Sequence, residues 1–377
     1  MNSAAHPLQA LLDAGVREGS FPAAQATVLH RGRVLFEASS GEATAETVFD
    51  LASVTKVATT ALFLALRERG TIGADTTLGA LLPAAVAPHL TLEDLLFHRS
   101  GLPAWRPFFA HPAAMPSVLG AGRSAAAFER SRRVVIDAAL ATPPETPVGS
   151  RAVYSDVGFI LLGEALSVAG AQPLAELFAA VVARPLKLEL AYRPLGTPVT
   201  GFQPSLRIAP TGIQRPRPPA PGQEGSYLLA SVAPETAAGE VDDDNAWAMG
   251  GVAGHAGLFG TSAALAAFGQ VILEERGGAG RLASPSLWAP AFSRDPITTG
   301  SERTLGFDTV TPGGSSAGRF MSSQAVGHLG FTGTSLWIDP ARELVVALLT
   351  NRTLLGRENL GIRTFRPRFH DAVAALL

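Results

Sequence analysis

Strand-type patterning stands at the two ends of this chain, and helix-type patterning fills its middle. Near the start, residues 25–30 and 33–38 alternate or run apolar around Arg31-Gly32, the pattern of a β-hairpin. Near the end, residues 335–338 and 344–350 flank Asp339-Pro340-Ala341-Arg342, a turn between antiparallel strands. Between them lie helical patterns over 54–69 (with Val54, Ala58, Ala61, Leu62, Ala65 and Leu66 as its apolar face), 92–97, 124–140, 157–169 and 173–182. A last helix closes the chain over 365–377. The economical arrangement is α+β: one antiparallel sheet built from both termini and flanked by helices, with a mostly helical lobe inserted. The expected division is 1–86 with 285–377 as the sheet lobe and 87–284 as the helical and loop lobe, together one catalytic domain. A cleft between lobes is a common place for a site. Prolines recurring from Pro204 to Pro221 predict a long irregular loop near it.

Composition narrows the function. Hydrophobic residues make up 47% of the 377 and charged residues 16%, which is globular rather than disordered. The formal net charge is −2 and the basic residues are scattered, so no nucleic-acid partner is expected. The chain has no cysteine, which excludes disulfides, thiolate nucleophiles and Cys-type metal sites. Residues 1–17 read as a short amphipathic helix, not a signal peptide. As written the chain is expected in the cytoplasm, or in the periplasm or medium if a leader has been removed. The uncharged stretch 246–273 is long enough to span a membrane, but its glycines and His255 give loop chemistry up to Ser262, so no span is expected. Asp242-Asp243-Asp244-Asn245 lacks the ligand spacing of a calcium loop and reads as a solvated acidic turn. The histidines form no H-E-x-x-H, so neither metal nor cofactor is implied. Gly314-Ser315-Ser316-Ala317-Gly318 fits G-x-S-x-G but lacks the strand and helix that such a turn requires.

Three short segments carry chemistry. Ser53-Val54-Thr55-Lys56 sits at a helix start, where positions i and i+3 share a face and the amine lies in reach of the hydroxyl. The helix N-terminus favours charge developing at the serine, and lysine, unlike arginine, can serve as a base. Lys56 and Lys187 are the only lysines in the chain. The same residues also fit a capping serine beside a solvated lysine. Tyr154-Ser155-Asp156 precedes a helix, and alone fits a buried tyrosine next to an N-cap formed by Asp156. His328-Leu329-Gly330-Phe331 enters the late strands, and alone fits an edge kink with a structural histidine. His255, flanked by small residues, either lines the cleft or is structural.

Taken together and in this order, the three segments resemble the serine β-lactamase and penicillin-binding-protein superfamily, in its class C-like esterase and amidase branch. Supporting stretches are Leu95-Leu96-Phe97-His98-Arg99-Ser100-Gly101-Leu102-Pro103, the run YSDVGFILLG from Tyr154, and GGVAGHAGLFG from Gly250. The resemblance implies a β-lactamase/transpeptidase-like fold and an acyl-enzyme on Ser53. Lys56 and Tyr154 would take the serine proton and return it to the leaving group. The backbone N–H groups of Ser53 and Phe331 would form the oxyanion hole, and His328 would polarise the tyrosine or hold a substrate carboxylate. Gly330, Asp156 and His255 complete the expected binding set. Two positions depart from the class C pattern: Asp156 stands where asparagine is expected, and His328 replaces lysine. An ionised carboxylate accepts hydrogen bonds and cannot donate one to a substrate carbonyl. It also favours the ammonium form of Lys56, moving the base role toward Tyr154. The expected activity is a carboxylesterase or muropeptide amidase with weak or no action on β-lactams. A D-Ala-D-Ala carboxypeptidase and a non-catalytic binder of cell-wall peptide or β-lactam are the alternatives. The segment from Glu240 to Ala246 is similar to a muropeptide-acting subgroup, although histidine is expected there where Asp242 stands. The substrate would be a small molecule or peptide-derived; the oligomeric state is not legible.

Overall fold

The computed structural model describes residues 6–111, 113–114, 124–196, 207–217, 228–311 and 313–377. The hairpin forms as read: β1 (Ala23–His30) pairs antiparallel with β2 (Arg33–Gly41). The C-terminal strands are β3 (Asp308–Thr309), β4 (Val326–Leu329), β5 (Ser335–Asp339) and β6 (Leu344–Thr350). They complete a six-stranded sheet in the order β2-β1-β6-β5-β4-β3, so the first and last strands of the chain lie side by side within it.

Strand alternation builds a core on each face. Leu344, Val346 and Leu348 join Ala24, Ala26 and Val28 on one side, under the terminal helices α1 (Pro7–Arg17) and α7 (Gly361–Ala374). Val345, Ala347 and Leu349 point the other way into the larger core. That face carries α6 (Ser262–Arg276), which packs on β1, β5 and β6. Position in the chain had put this helix in the inserted lobe; its apolar residues place it on the sheet instead. The uncharged stretch that includes it is divided among the helix Asp244–Ala248, the strand Leu258–Gly260 and α6. Among the described residues no single helix is long and apolar enough to cross a membrane.

Helix α2 (Thr55–Glu68) runs through the middle of the molecule. Its pattern predicts one apolar face, yet every residue from Thr55 to Leu66 is buried. The polar ones are satisfied internally: Thr60 donates to the Lys56 carbonyl at 2.8 Å and Thr59 to the Gly254 carbonyl at 2.7 Å. On its far side stand α3 (Leu92–Leu96), closed by a Thr91–Asp94 capping box, α4 (Ala125–Leu140) and α5 (Asp156–Ala169). A Cβ on Gly163 would come within 2.7 Å of the Gly254 backbone, so glycine lets the 250–260 run press flat against α5. The loop expected over 204–221 is not wholly irregular. Of its described part, Gln214–Arg217 pairs with Leu228–Ser231; residues 204–206 and 218–221 lie outside the described residues.

Candidate active site

The turn that carries Ser53 is held from below. The two-residue strand Phe49–Asp50 pairs with Leu258–Gly260, and the chain then reverses through Ala52, whose φ of 49° is rare for a residue with a side chain. The Asp50 carboxylate secures that turn by accepting the Ala52 N–H at 2.9 Å and the Asp242 N–H at 2.8 Å. Asp50 is 1% exposed, and burial pushes its pKa up to about 7. Ser53 follows in a single 3-10 turn, Ala52–Val54, that runs into α2.

Lys56 lies in the first turn of α2 with its side chain fully buried. Its Nζ is 3.2 Å from Ser53 Oγ, 2.7 Å from Asp156 Oδ1 and 3.4 Å from the carbonyl of His255. Burial opposes the ammonium, but Asp156 and Tyr154 together outweigh it and hold the pKa above the usual lysine value. Tyr154 stands beside this pair, its ring centroid 4.7 Å from Nζ. Burial raises the phenol pKa in spite of the pull of Lys56, so the hydroxyl keeps its proton at neutral pH.

The stretch around His98 explains how Tyr154 is aimed. His98 Nδ1 accepts the Ser155 N–H at 3.0 Å, and its ring packs on Tyr154 at 4.8 Å and on Phe159 at 5.1 Å. Burial keeps His98 neutral, as this acceptor role requires. Ser155 donates to the Pro103 carbonyl and accepts the Gly158 N–H, so Ser155, not Asp156, caps α5. Asp156 becomes the first helical residue, and its carboxylate is left to meet Lys56.

His328 lies on β4 with its ring 5.8 Å from that of Tyr154. Burial, then Lys56, drives its pKa well below the ordinary value, so the ring is neutral. Nδ1 faces the Leu329 carbonyl at 2.9 Å and must donate to it, which leaves Nε2 a buried lone pair without a partner among the described residues. Held neutral, the ring brings no positive charge of its own to the cleft. At Gly330 a Cβ would collide with Thr334 and the Leu51 carbonyl, which is why β4 can approach the serine turn. The next N–H, that of Phe331, has no partner among the described residues. His255 does not line the cleft. It is buried, with Nε2 2.8 Å from Asp243, and reaches the site through its backbone carbonyl. The run Asp242–Asn245, read as solvated, is mostly buried: Asp244 pairs with Arg357 at 2.7 Å, and Asp243 with His255.

Two cavities open at Ser53. One, of about 370 Å³, is walled by Trp105, Phe331, Asp156 and Asp242 to Asp244. The other, of about 460 Å³, holds His328 and the arginines Arg303, Arg352, Arg357, Arg363 and Arg366. Sequence reasoning singled out neither these arginines nor Asp50 and Trp105. Asp50, three residues before the serine, had a positional signal; the arginines, spread over some sixty residues, had none.

The comparisons agree with this geometry. The β-lactamase family model matches residues 8–365, and the chain belongs to that family. A protein of Escherichia coli K12 named "Putative D-alanyl-D-alanine carboxypeptidase" is 31% identical over 338 residues, covering 85% of this chain and 72% of that one. Among solved structures, a penicillin-binding protein homologue from Pyrococcus abyssi superposes with a TM-score of 0.69 at 17% identity, over 98% of this chain and 76% of that one. EstCE1, described as a hydrolase with promiscuous acyltransferase activity, gives 0.66 at 22% identity over 96% and 97%. The chain is thus a hydrolase of the β-lactamase fold.

The Asp50 carboxyl gives a stability test. It ionises near 4 when unfolded and near 7 when folded, so between these values the folded chain holds more protons and stability falls as pH rises. The full span corresponds to about 4 kcal/mol. The melting temperature of wild type minus that of Asp50→Asn should therefore decline by several degrees from pH 4 to pH 7.5. A difference that stays constant over this range would contradict the raised pKa.

Proposed function

We propose that this chain is a serine hydrolase that cleaves an ester or amide bond through an acyl-enzyme on Ser53, with weak or no action on β-lactams. The observation that carries the reading is the buried Lys56 Nζ, in contact at once with Ser53 Oγ and Asp156. As Ser53 attacks, its proton moves to Lys56 while Lys56 hands one to Asp156, so the network gains one positive charge as the substrate gains the negative charge of the oxyanion. Tyr154, beside both, then gives its proton to the departing group and is reprotonated from Lys56, which takes back the proton held by Asp156. The Ser53 and Phe331 N–H groups receive the oxyanion. Deacylation reverses these transfers with water as the nucleophile. Asp156 argues against β-lactams, because while ionised it cannot donate to the amide carbonyl of such a drug.

A second reading, a carboxypeptidase acting on D-Ala-D-Ala ends, is favoured by one observation. The arginine-lined cavity beside His328 offers charge to a terminal carboxylate. The name of the E. coli relative points the same way.

One panel of p-nitrophenyl esters, nitrocefin, muropeptides and a D-Ala-D-Ala peptide tests both readings. Ser53→Ala should abolish fluorophosphonate labelling and lower turnover by several orders of magnitude, whereas Ser315→Ala leaves it near wild type. Full activity in Ser53→Ala would end the acyl-enzyme reading. Unchanged binding of cell-wall peptide with no turnover in wild type would mark a binder instead.

Arg363→Gln separates the two substrate classes. If a terminal carboxylate is bound in the arginine cavity, this change should raise KM for the D-Ala-D-Ala peptide roughly tenfold to a hundredfold, the value of one charge-assisted hydrogen bond. The neutral ester should be unaffected. Equal effects on both substrates would rule out carboxylate recognition at Arg363.

A further inference from the structure

Arg366 is a buried guanidinium with no acid to pair with. It rises from α7, between Phe365 and Phe369 of the terminal core, and is 6% exposed. Among the described residues no carboxylate lies within ion-pair distance of it, and its Nε has no hydrogen-bond partner. Two other buried arginines are neutralised, Arg99 by Asp94 and Asp295 and Arg215 by Glu240, whereas buried Arg352, like Arg366, bonds backbone carbonyls instead of an acid. An unpaired buried charge is costly, and the two good hydrogen bonds of Arg366 both go to backbone carbonyls of one loop. A terminal nitrogen donates to the Gly330 carbonyl at 2.6 Å and to the Thr334 carbonyl at 2.8 Å.

The Gly330 carbonyl and the Phe331 N–H belong to the same peptide group. Hydrogen bonding to a peptide oxygen draws electron density toward it and leaves the N–H of that group a better donor. With no acid paired to it among the described residues, Arg366 brings its positive charge to this amide and to that of Thr334. Arg352 fixes the other side of the residue, its Nε donating to the Phe331 carbonyl at 2.7 Å. The Phe331 N–H, left without a partner among the described residues, is thus held in place and polarised by a cation it never touches.

We propose that Arg366 is a positioning residue that strengthens the Phe331 N–H as an oxyanion donor by polarising the Gly330–Phe331 peptide. This deepens the acyl-enzyme reading of the site and rests on it. The role differs from substrate capture, because it predicts an effect on substrates that carry no charge.

The experiment uses p-nitrophenyl acetate, a phenylboronic acid as a tetrahedral anion on Ser53, and the infrared carbonyl stretch of a stable acyl-enzyme. Arg366→Met should lower kcat/KM for the neutral ester about tenfold to a hundredfold and weaken the boronate in the same proportion. It should also move the acyl carbonyl stretch to higher frequency. Arg366→Lys, which keeps the charge, should recover most of each loss. If Arg366→Met does not fold, the Lys variant alone decides: a stretch close to that of wild type supports the proposal, and one displaced as far as in solvent-exposed acyl-enzyme overturns it. Unchanged boronate affinity in a folded Arg366→Met also overturns it, as does a loss confined to anionic substrates. Failure of wild type to acylate at all would instead sink the underlying function, whatever Arg366 does.

Discussion

The ion pair between Lys56 and Asp156 is the interaction on which the rest of the site depends. A lysine with no exposure would ordinarily lose its proton, because burial penalises the charged form. Here a carboxylate 2.7 Å away reverses that outcome and keeps the ammonium. The pair joins the first turn of α2 to the first turn of α5, so it also fixes the distance between the helix that follows the Ser53 turn and the loop bearing Tyr154. Removing Asp156 would leave only Tyr154 to oppose burial and shift Lys56 toward the neutral amine. One side chain therefore sets both the geometry and the protonation state.

Each partner of the pair is held by a different part of the chain. The serine turn is tied by Asp50 to the segment at Asp242, and the tyrosine loop is tied through Ser155, whose N–H donates to His98 and whose hydroxyl donates to the Pro103 carbonyl. The opposing strand is clamped by Arg352 and Arg366 from the last thirty residues. This is the consequence of a sheet whose first and last strands are neighbours. Contacts of such long range are slow to form, but they place groups more than three hundred residues apart within one hydrogen-bond network.

The hairpin, the late strands and the central helix were legible because local periodicity determines them, and the Ser53, Tyr154 and His328 segments because their order and context carry the resemblance. What was not legible depends on burial. Nothing local distinguishes a helix apolar on one face from one enclosed on all sides, as α2 is. The acidic run at Asp242 looked solvated since its partners, Arg357 and His255, are remote or masked by glycines. The burial that keeps His328 neutral is likewise not visible in its sequence neighbours. The arginine cavity draws on residues from Arg303 to Arg366, and only the folded sheet brings them together.

The protonation state of Lys56 at rest is the most direct test of this account. The chain contains two lysines, so the side-chain nitrogen spectrum of ¹⁵N-lysine-labelled protein has two resonances, and Lys56→Arg assigns them. Titration of the Nζ signal in the wild type should show an ammonium throughout the neutral range, losing its proton only above the pH usual for a lysine side chain. A Lys56 resonance that is already that of a neutral amine at pH 7 would contradict the ion pair as the organising interaction of the site.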